Sequence, residues 1–195
     1  PNDPDRASIL GALVIEGLMR GGSDGYQLYF LPKSRTGTAP LGNSYSEIHD
    51  VQFNNSTFVK SPLQQSTKQL TQSNKRDKTI IFLTDGSPSD IDNPVVELQS
   101  LFPAERDFSI FAIGLYQSKT AEDMGKQFLE VLTDEKQDIL RLTDNPSDVV
   151  PFFMEGFAKV LGSKPEISKI SNTNNQSLSI PKYVTEVFIA LTSDQ

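Results

Sequence analysis

The sequence of 195 residues contains no cysteine and a single histidine, His49. The lack of cysteine excludes disulfide bonds, thiolate zinc sites and cysteine nucleophiles. A single histidine argues against a histidine-based zinc site and against a Ser-His-Asp triad, so we assign His49 no role. No apolar run approaches the ~20 residues that a membrane-spanning helix needs, and direct membrane insertion is therefore not expected.

Positive charge is also scarce. The formal net charge is −7 and the isoelectric point is about 4.7. No basic stripe is present to neutralise phosphates, so nucleic acid is not an expected partner. The only basic cluster, formed by Lys75, Arg76 and Lys78, is interpreted as a solvated turn before a buried strand. An acidic balance is compatible with a cation-binding surface but does not demonstrate one.

Helical and strand-like patterns alternate along most of the chain. Helices are predicted at about 4–20, 61–73, 94–102, 121–132 and 146–161, and strands at 26–31, 48–53, 79–83, 108–115 and 138–142, with a long loop at 32–47. The connections are too long for hairpins. The pattern predicts an α/β fold with a doubly wound, mostly parallel sheet and helices on both of its faces.

The character of the sequence changes after Gly162. Residues 1–162 are predicted to form the α/β domain, and the polar segment 163–177 is predicted to be a linker. Residues 178–195 have strand-like patterns with no helix after them. They are either the first strands of a following β-rich domain or strands added to the α/β domain.

One strand ends in a motif that can carry chemistry. Thr79–Leu83 is continuously apolar and is followed by Thr84-Asp85-Gly86, which brings a carboxylate to the carboxyl end of the sheet, where such folds have their sites. Thr57 lies in a polar loop before a helix and is expected at the same rim. Hydroxyl and carboxylate oxygens suit Mg²⁺, Mn²⁺ or Ca²⁺. By itself the motif is more typical of an aspartate that stabilises a turn or caps the next helix than of a metal ligand.

The ordered set of motifs resembles a family, the von Willebrand factor A domains, over about residues 2–161. Asn2-Asp3-Pro4-Asp5-Arg6 resembles the segment that follows the first metal loop in bacterial members. Ser56-Thr57-Phe58-Val59 resembles the family's threonine loop, Ile80–Gly86 its Thr-Asp-Gly strand, and Phe108–Leu115 the next strand. The resemblance implies a metal-ion-dependent adhesion site in which Thr57 and Asp85 are metal ligands and Mg²⁺, or else Mn²⁺ or Ca²⁺, is the cofactor.

The sequence departs from the family in several places. The Asp-x-Ser-x-Ser loop and the central strand that carries it are absent from the sequence, Ser56 stands where glycine is usual, and Pro62 interrupts the expected helix. Losing a central strand would remove several buried side chains worth ~1.5–3 kcal/mol each. We therefore expect the sequence to be a fragment, or the missing strand to lie upstream of Pro1.

The resemblance implies a non-enzymatic module for adhesion or protein binding, which binds a carboxylate of a partner protein through the cation. It also implies an extracellular or cell-surface location, although a cytoplasmic one stays open. One alternative is a scaffold without metal, and another is a metal-dependent hydrolase or phosphotransferase. No phosphate-binding glycine loop supports the enzyme. The acidic stretches at 90–92, 122–123 and 134–135 are interpreted as solvated helix starts and turns, with Asp90 and Asp92 as candidates for shaping the rim near Asp85.

Overall fold

The structure is a computed structural model. It describes residues 57–160 apart from 104, 117 and 134–136, together with residues 11, 13, 28–29 and 40–41. The strand predicted at 48–53, the linker and strands predicted at 163–195, most of the predicted first helix, and the strand expected upstream of Pro1 lie outside the described residues. Among the residues that are described, no helix is both long enough and apolar enough to cross a bilayer.

The elements of the described part alternate as the sequence predicts. In chain order they are β1 (Leu28–Tyr29), β2 (Pro40–Leu41), α1 (Lys60–Gln72), β3 (Thr79–Thr84), α2 (Pro94–Leu101), β4 (Ser109–Leu115), α3 (Lys119–Leu132), β5 (Ile139–Thr143), a 3₁₀ turn (Pro146–Asp148) and α4 (Val149–Val160). From α1 onward, the helix and strand boundaries agree with the predicted ones to within two residues, except that the first three residues of the predicted last helix form the 3₁₀ turn.

Strands β3, β4 and β5 form a parallel sheet in that order. Thr79 of β3 is paired with Ser109 of β4, and the register continues to Thr84 and Gly114. Each parallel connection contains a helix, as the βαβ rule requires. The predicted α/β fold with a parallel sheet is therefore confirmed.

Strand β4 alternates its side chains between two apolar cores. On one face, Ile110 and Ala112 pack with residues from α1, α2 and α3. On the other face, Phe111, Ile113 and Leu115 pack against α4. All five of these side chains are buried. Continuous apolar character is thus explained by a strand that is covered on both sides, as predicted.

Gly11, which is helical and buried, lies close to α4. A Cβ placed on it would overlap the Phe153 ring, so a larger side chain at residue 11 would have to displace this ring. With α1, α2 and α3 packed on one face and α4 on the other, helices cover both faces of the sheet.

Two local expectations were wrong. Pro40 and Leu41, in the predicted long loop, pair antiparallel with Tyr29 and Leu28. A two-residue strand is too short to produce an alternating pattern, and proline is tolerated at sheet edges. Pro62 does not interrupt α1, because it lies in the first turn, where its missing N–H removes no helical hydrogen bond.

Lys78 was expected to be solvated, and this was also wrong. Its side chain is only 4% exposed. The ammonium group donates to the carbonyl oxygens of Leu70 and Ser73, at 3.0 and 3.2 Å, and to the Asp107 carboxylate at 2.5 Å. A cation at the carboxyl end of α1 satisfies free carbonyls and opposes the helix dipole. Lys75 and Arg76 are exposed, as expected.

Truncation of the central strand provides a test of this fold. Phe111→Ala should lower the free energy of unfolding by about 3–5 kcal/mol, because it removes a ring that is fully buried between β4 and α4. Val96→Ala is the control, because Val96 is 60% exposed and its truncation should change stability by less than ~0.5 kcal/mol. Chemical denaturation of both variants measures the difference. Equal stabilities would contradict the assigned core.

Candidate functional site

Asp85 lies immediately after β3, at the carboxyl end of the sheet. The preceding Thr84 is buried, and its hydroxyl donates to the Gly86 carbonyl at 3.0 Å and accepts from the Gly86 N–H at 3.3 Å. This local hydrogen bonding folds the chain into a turn directly after the strand. The strand and the turn together hold Asp85 at the rim of the sheet.

The structure brings the loop of Thr57 to this turn. A Cβ built on Gly86 would lie 3.3 Å from the Thr57 hydroxyl oxygen. A side chain at residue 86 would therefore crowd this hydroxyl, whereas glycine leaves room for it. The two residues predicted as metal ligands are thus on adjacent loops, with the Thr57 hydroxyl against the Asp85-Gly86 turn.

Backbone contacts hold the two loops together. The Ser89 N–H donates to the Thr57 carbonyl at 2.7 Å, and the Thr57 N–H donates to the Ser89 hydroxyl at 3.2 Å. These reciprocal bonds join the loop after β3 to the loop before α1. They fix the backbone of Thr57 relative to the end of β3.

Asp90 strengthens the same connection. Its carboxylate accepts from the Val59 N–H at 2.9 Å and from the Lys60 N–H at 3.0 Å. Val59 is the residue before α1, and no side chain at that position caps the helix. Asp90, which is distant in sequence, therefore accepts from two N–H groups at the start of α1 that would otherwise have no acceptor. Asp90 is 7% exposed, and the interpretation of a solvated residue was wrong for it. Asp92 is exposed, as expected.

Glu97 connects the first turns of α1 and α2. Its carboxylate pairs with the Lys60 ammonium at 2.7 Å and accepts from the N–H groups of Asp92 and Asn93 at 2.8 and 3.0 Å. The Lys60 hydrogen bond and these backbone donors lower the pKa of Glu97 from 4.5 to about 2. The charged form of Glu97 is therefore the one that supports the loops behind the rim.

Tyr116, directly after β4, is a rim residue that the sequence did not indicate. It is 3% exposed, and its hydroxyl has no hydrogen-bond partner among the described residues. Burial raises the pKa of the Tyr116 hydroxyl far above its usual range, and the negative charges of Asp85 and Glu122 add to this shift. The hydroxyl is therefore neutral at any working pH and adds no charge near Asp85.

The chemistry of the rim is compatible with a hard cation. Thr57 and Asp85 supply hydroxyl and carboxylate oxygens, the donors that Mg²⁺ and Ca²⁺ prefer. The space left by Gly86 beside the Thr57 hydroxyl keeps that oxygen from being covered by a side chain. Among the described residues, no group of three or more histidine, cysteine, aspartate or glutamate side chains is placed to hold a metal.

The sequence named Asp90 as a candidate for shaping the rim but did not indicate the supporting roles of Thr84 and Ser89. All three residues act through hydrogen bonds to backbone groups, and the bonds of Ser89 and Asp90 join residues more than thirty positions apart in sequence. A threonine before a turn and a Ser-x-Asp sequence occur in many loops. Tyr116 could have been predicted as a rim residue, because it directly follows a buried strand.

Removing the Asp90 carboxylate should loosen the Thr57 loop. Asp90→Ala leaves two N–H groups at the start of α1 without acceptors and should destabilise the protein by about 1–3 kcal/mol. Asp90→Asn keeps one acceptor oxygen and should lose less. Hydrogen exchange should accelerate at Val59 and Lys60 in the order wild type, Asn variant, Ala variant. Unchanged exchange in the Ala variant would refute this role.

The Glu97 interactions should make stability depend on pH in a defined window. A lowered pKa in the folded state stabilises the protein above pH 4.5, and this contribution is lost as the pH falls towards about 2. Glu97→Gln should therefore be less stable than wild type at neutral pH, with a difference that shrinks between pH 4.5 and 2. Denaturation across this range measures it, and the exposed Glu105→Gln is the control. A difference that is independent of pH would contradict the assignment.

Comparison with known proteins finds a similarity in fold. No family model matches the sequence, and no curated protein matches it. The structure is similar to a solved one described as von Willebrand factor type A from Catenulispora acidiphila, with a TM-score of 0.55 and 15% sequence identity. The match covers 82% of this chain but only 40% of the other. This protein therefore has the α/β, Rossmann-like fold of a von Willebrand factor type A domain.

Proposed function

We propose that the protein is a non-enzymatic binding module in which a divalent cation, held by Thr57 and Asp85, binds a carboxylate of a partner protein. The observation that carries this proposal is the approach of the Thr57 hydroxyl to the Asp85-Gly86 turn, at a position where any side chain on residue 86 would crowd it. Two residues that are 28 positions apart in the sequence thereby present oxygen atoms at one rim.

The chemistry of these two residues supports Mg²⁺ in the first place, with Mn²⁺ or Ca²⁺ as substitutes. Mg²⁺ prefers six oxygen ligands and keeps several waters, because it loses them reluctantly. Two protein oxygens leave positions for water and for one carboxylate from a partner. A cation that is bound in this way supplies the charge that attracts the partner's acidic group.

The loop contacts also support a binding role. Asp90 and Ser89 hold the backbone around Thr57 through hydrogen bonds that do not use the Thr57 side chain. The backbone that carries the hydroxyl is therefore held in place before any ligand arrives. Such preorganisation lowers the entropy that is lost on binding. An adhesive module of this kind is suited to an extracellular or cell-surface protein, which is part of the proposal.

The first test is direct binding of the metal. Mn²⁺ binding to the full chain can be followed by the loss of the electron paramagnetic resonance signal of free Mn²⁺. Asp85→Asn should weaken Mn²⁺ binding by at least about 10–100-fold, since even changes behind the metal ligands have effects of that size. Thr57→Val should weaken it as well. Asp92→Asn, at an exposed residue, should bind like wild type.

The second test is recognition of a carboxylate. N-acetylglutamate N-methylamide should bind the wild-type chain when Mg²⁺ is present and not in EDTA, and the corresponding glutamine compound should not bind. Asp85→Asn should not respond to the glutamate compound. If wild type binds Mn²⁺ no better than Asp85→Asn does, the metal-dependent function is refuted, and a scaffold without metal is the function that remains.

A further inference from the structure

The loop after Asp85 is placed to give the proposed cation a further ligand. Thr57 and Asp85 supply two oxygens, whereas Mg²⁺ prefers six oxygen ligands at about 2.1 Å. A third oxygen from the chain would hold the cation more firmly and would still leave positions for water and for a partner's carboxylate. The loop after Asp85 contacts the loop of Thr57 directly, through Ser89.

Ser89 brings a hydroxyl oxygen close to the Thr57 side chain. Its Oγ accepts from the Thr57 N–H at 3.2 Å, and its own N–H donates to the Thr57 carbonyl at 2.7 Å. The nitrogen and the Oγ1 of one threonine are roughly 3–4 Å apart, so the hydroxyl oxygens of Thr57 and Ser89 are separated by no more than roughly 7 Å.

The Ser89 hydroxyl is also able to turn towards a cation. Ser89 is exposed, and rotation about its χ1 moves Oγ by about 2.4 Å. The bond from the Ser89 N–H to the Thr57 carbonyl does not involve the side chain, so the two loops stay joined during this rotation. An octahedral Mg²⁺ accepts oxygens that are about 3–4 Å apart, and the rotation can bring the two hydroxyls into that range.

A hydroxyl oxygen suits this position chemically. It can accept from an N–H group and bind a cation at the same time, because it has two lone pairs. It is also neutral, so that Asp85 stays the one charged ligand among the three. The divalent cation therefore keeps a net positive charge, which is what attracts a carboxylate of a partner.

Asp90, the acidic residue next to Ser89, is committed elsewhere. Its two carboxylate oxygens accept from the Val59 and Lys60 N–H groups at the start of α1. Turning Asp90 towards the cation would break both of these buried or partly buried bonds, at a cost of about 1–3 kcal/mol for each donor left without an acceptor. Ser89 can approach the cation without this loss.

We propose that Ser89 Oγ is a third protein ligand of the cation that Thr57 and Asp85 bind. This inference rests on the proposed function, because it concerns the same cation. The loop after β3 then supplies a carboxylate and a hydroxyl, and the loop before α1 supplies the second hydroxyl. All three are the hard oxygen donors that Mg²⁺ and Mn²⁺ prefer.

The test exchanges the Ser89 oxygen for sulfur. The sequence contains no cysteine, so Ser89→Cys in the full chain introduces a single thiol. This variant should bind Mn²⁺ about tenfold or more weakly than wild type, because sulfur is a poor ligand for a hard cation. It should bind Cd²⁺ about tenfold or more tightly than wild type, with an ultraviolet thiolate-to-cadmium absorption band. A residue that only positions Thr57 would not gain affinity for Cd²⁺.

Two further variants locate the bound ion. Asp85→Asn combined with Ser89→Cys should lose most of the gained Cd²⁺ affinity, because the thiolate and the carboxylate bind one ion. Ser100→Cys is the control, since Ser100 is an exposed serine of α2. It should bind Mn²⁺ like wild type and should not gain affinity for Cd²⁺.

A second substitution keeps the test valid if Ser89→Cys does not fold. Ser89→Asp replaces the hydroxyl by a carboxylate and should tighten Mn²⁺ binding several-fold, which loss of a positioning contact cannot do. Ser87→Asp places the same charge in the same loop and should have a smaller effect. Equal gains in the two variants would indicate a general effect of charge and would overturn the role of Ser89.

The outcomes separate this inference from the proposed function. If wild type binds Mn²⁺ and Asp85→Asn does not, the proposed function stands. Unchanged Mn²⁺ affinity in Ser89→Cys, no gain of Cd²⁺ affinity, or a gain that persists without the Asp85 carboxylate would then refute the role of Ser89 alone. If wild type and Asp85→Asn bind Mn²⁺ equally, the proposed function fails and the ligand role of Ser89 fails with it.

Discussion

Burial of strand β4 on both faces is the constraint on which the rest of the described structure depends. Its side chains alternate between two cores, and its backbone is paired with β3 on one edge and β5 on the other. Ile110 and Phe111, which lie on opposite faces of the strand, can both be buried only if helices cover both faces of the sheet. The parallel order follows, because each strand must return to the same end of the sheet through a covering helix.

This constraint brings the functional groups to the two ends of the sheet. Parallel strands end at the same rim, so the turn after β3 and the residue after β4 bring Asp85 and Tyr116 near one another. The loop of Thr57 is held at that rim by hydrogen bonds that its Thr57 and Val59 N–H groups donate to Ser89 and Asp90. At the opposite rim, the segments before β4 and β5 bring Arg106 to Asp138.

Local and distant interactions differ in how far they could be predicted. The apolar runs at residues 79–83 and 108–115 predicted buried strands, since they are short, rich in β-branched and aromatic residues, and bounded by turn residues. Lys78 is a residue whose environment its local sequence does not predict. A lysine beside Arg76 and Asp77 has the composition of a solvated turn, yet the carbonyl groups that end α1 and the carboxylate of Asp107 surround it. No local pattern contains these partners.

The amino-acid sequence by itself determined the alternation of helices and strands, the parallel sheet, and the position of Asp85 at the end of a buried strand. It did so because hydrophobic periodicity and turn residues are local properties. Only the tertiary structure decided that the Thr57 hydroxyl lies against the Asp85-Gly86 turn, that Asp90 caps α1, and that Arg106 pairs with the buried Asp138. Each of these depends on contacts between residues far apart in sequence, and such contacts exist only after the strands have paired and the helices have packed.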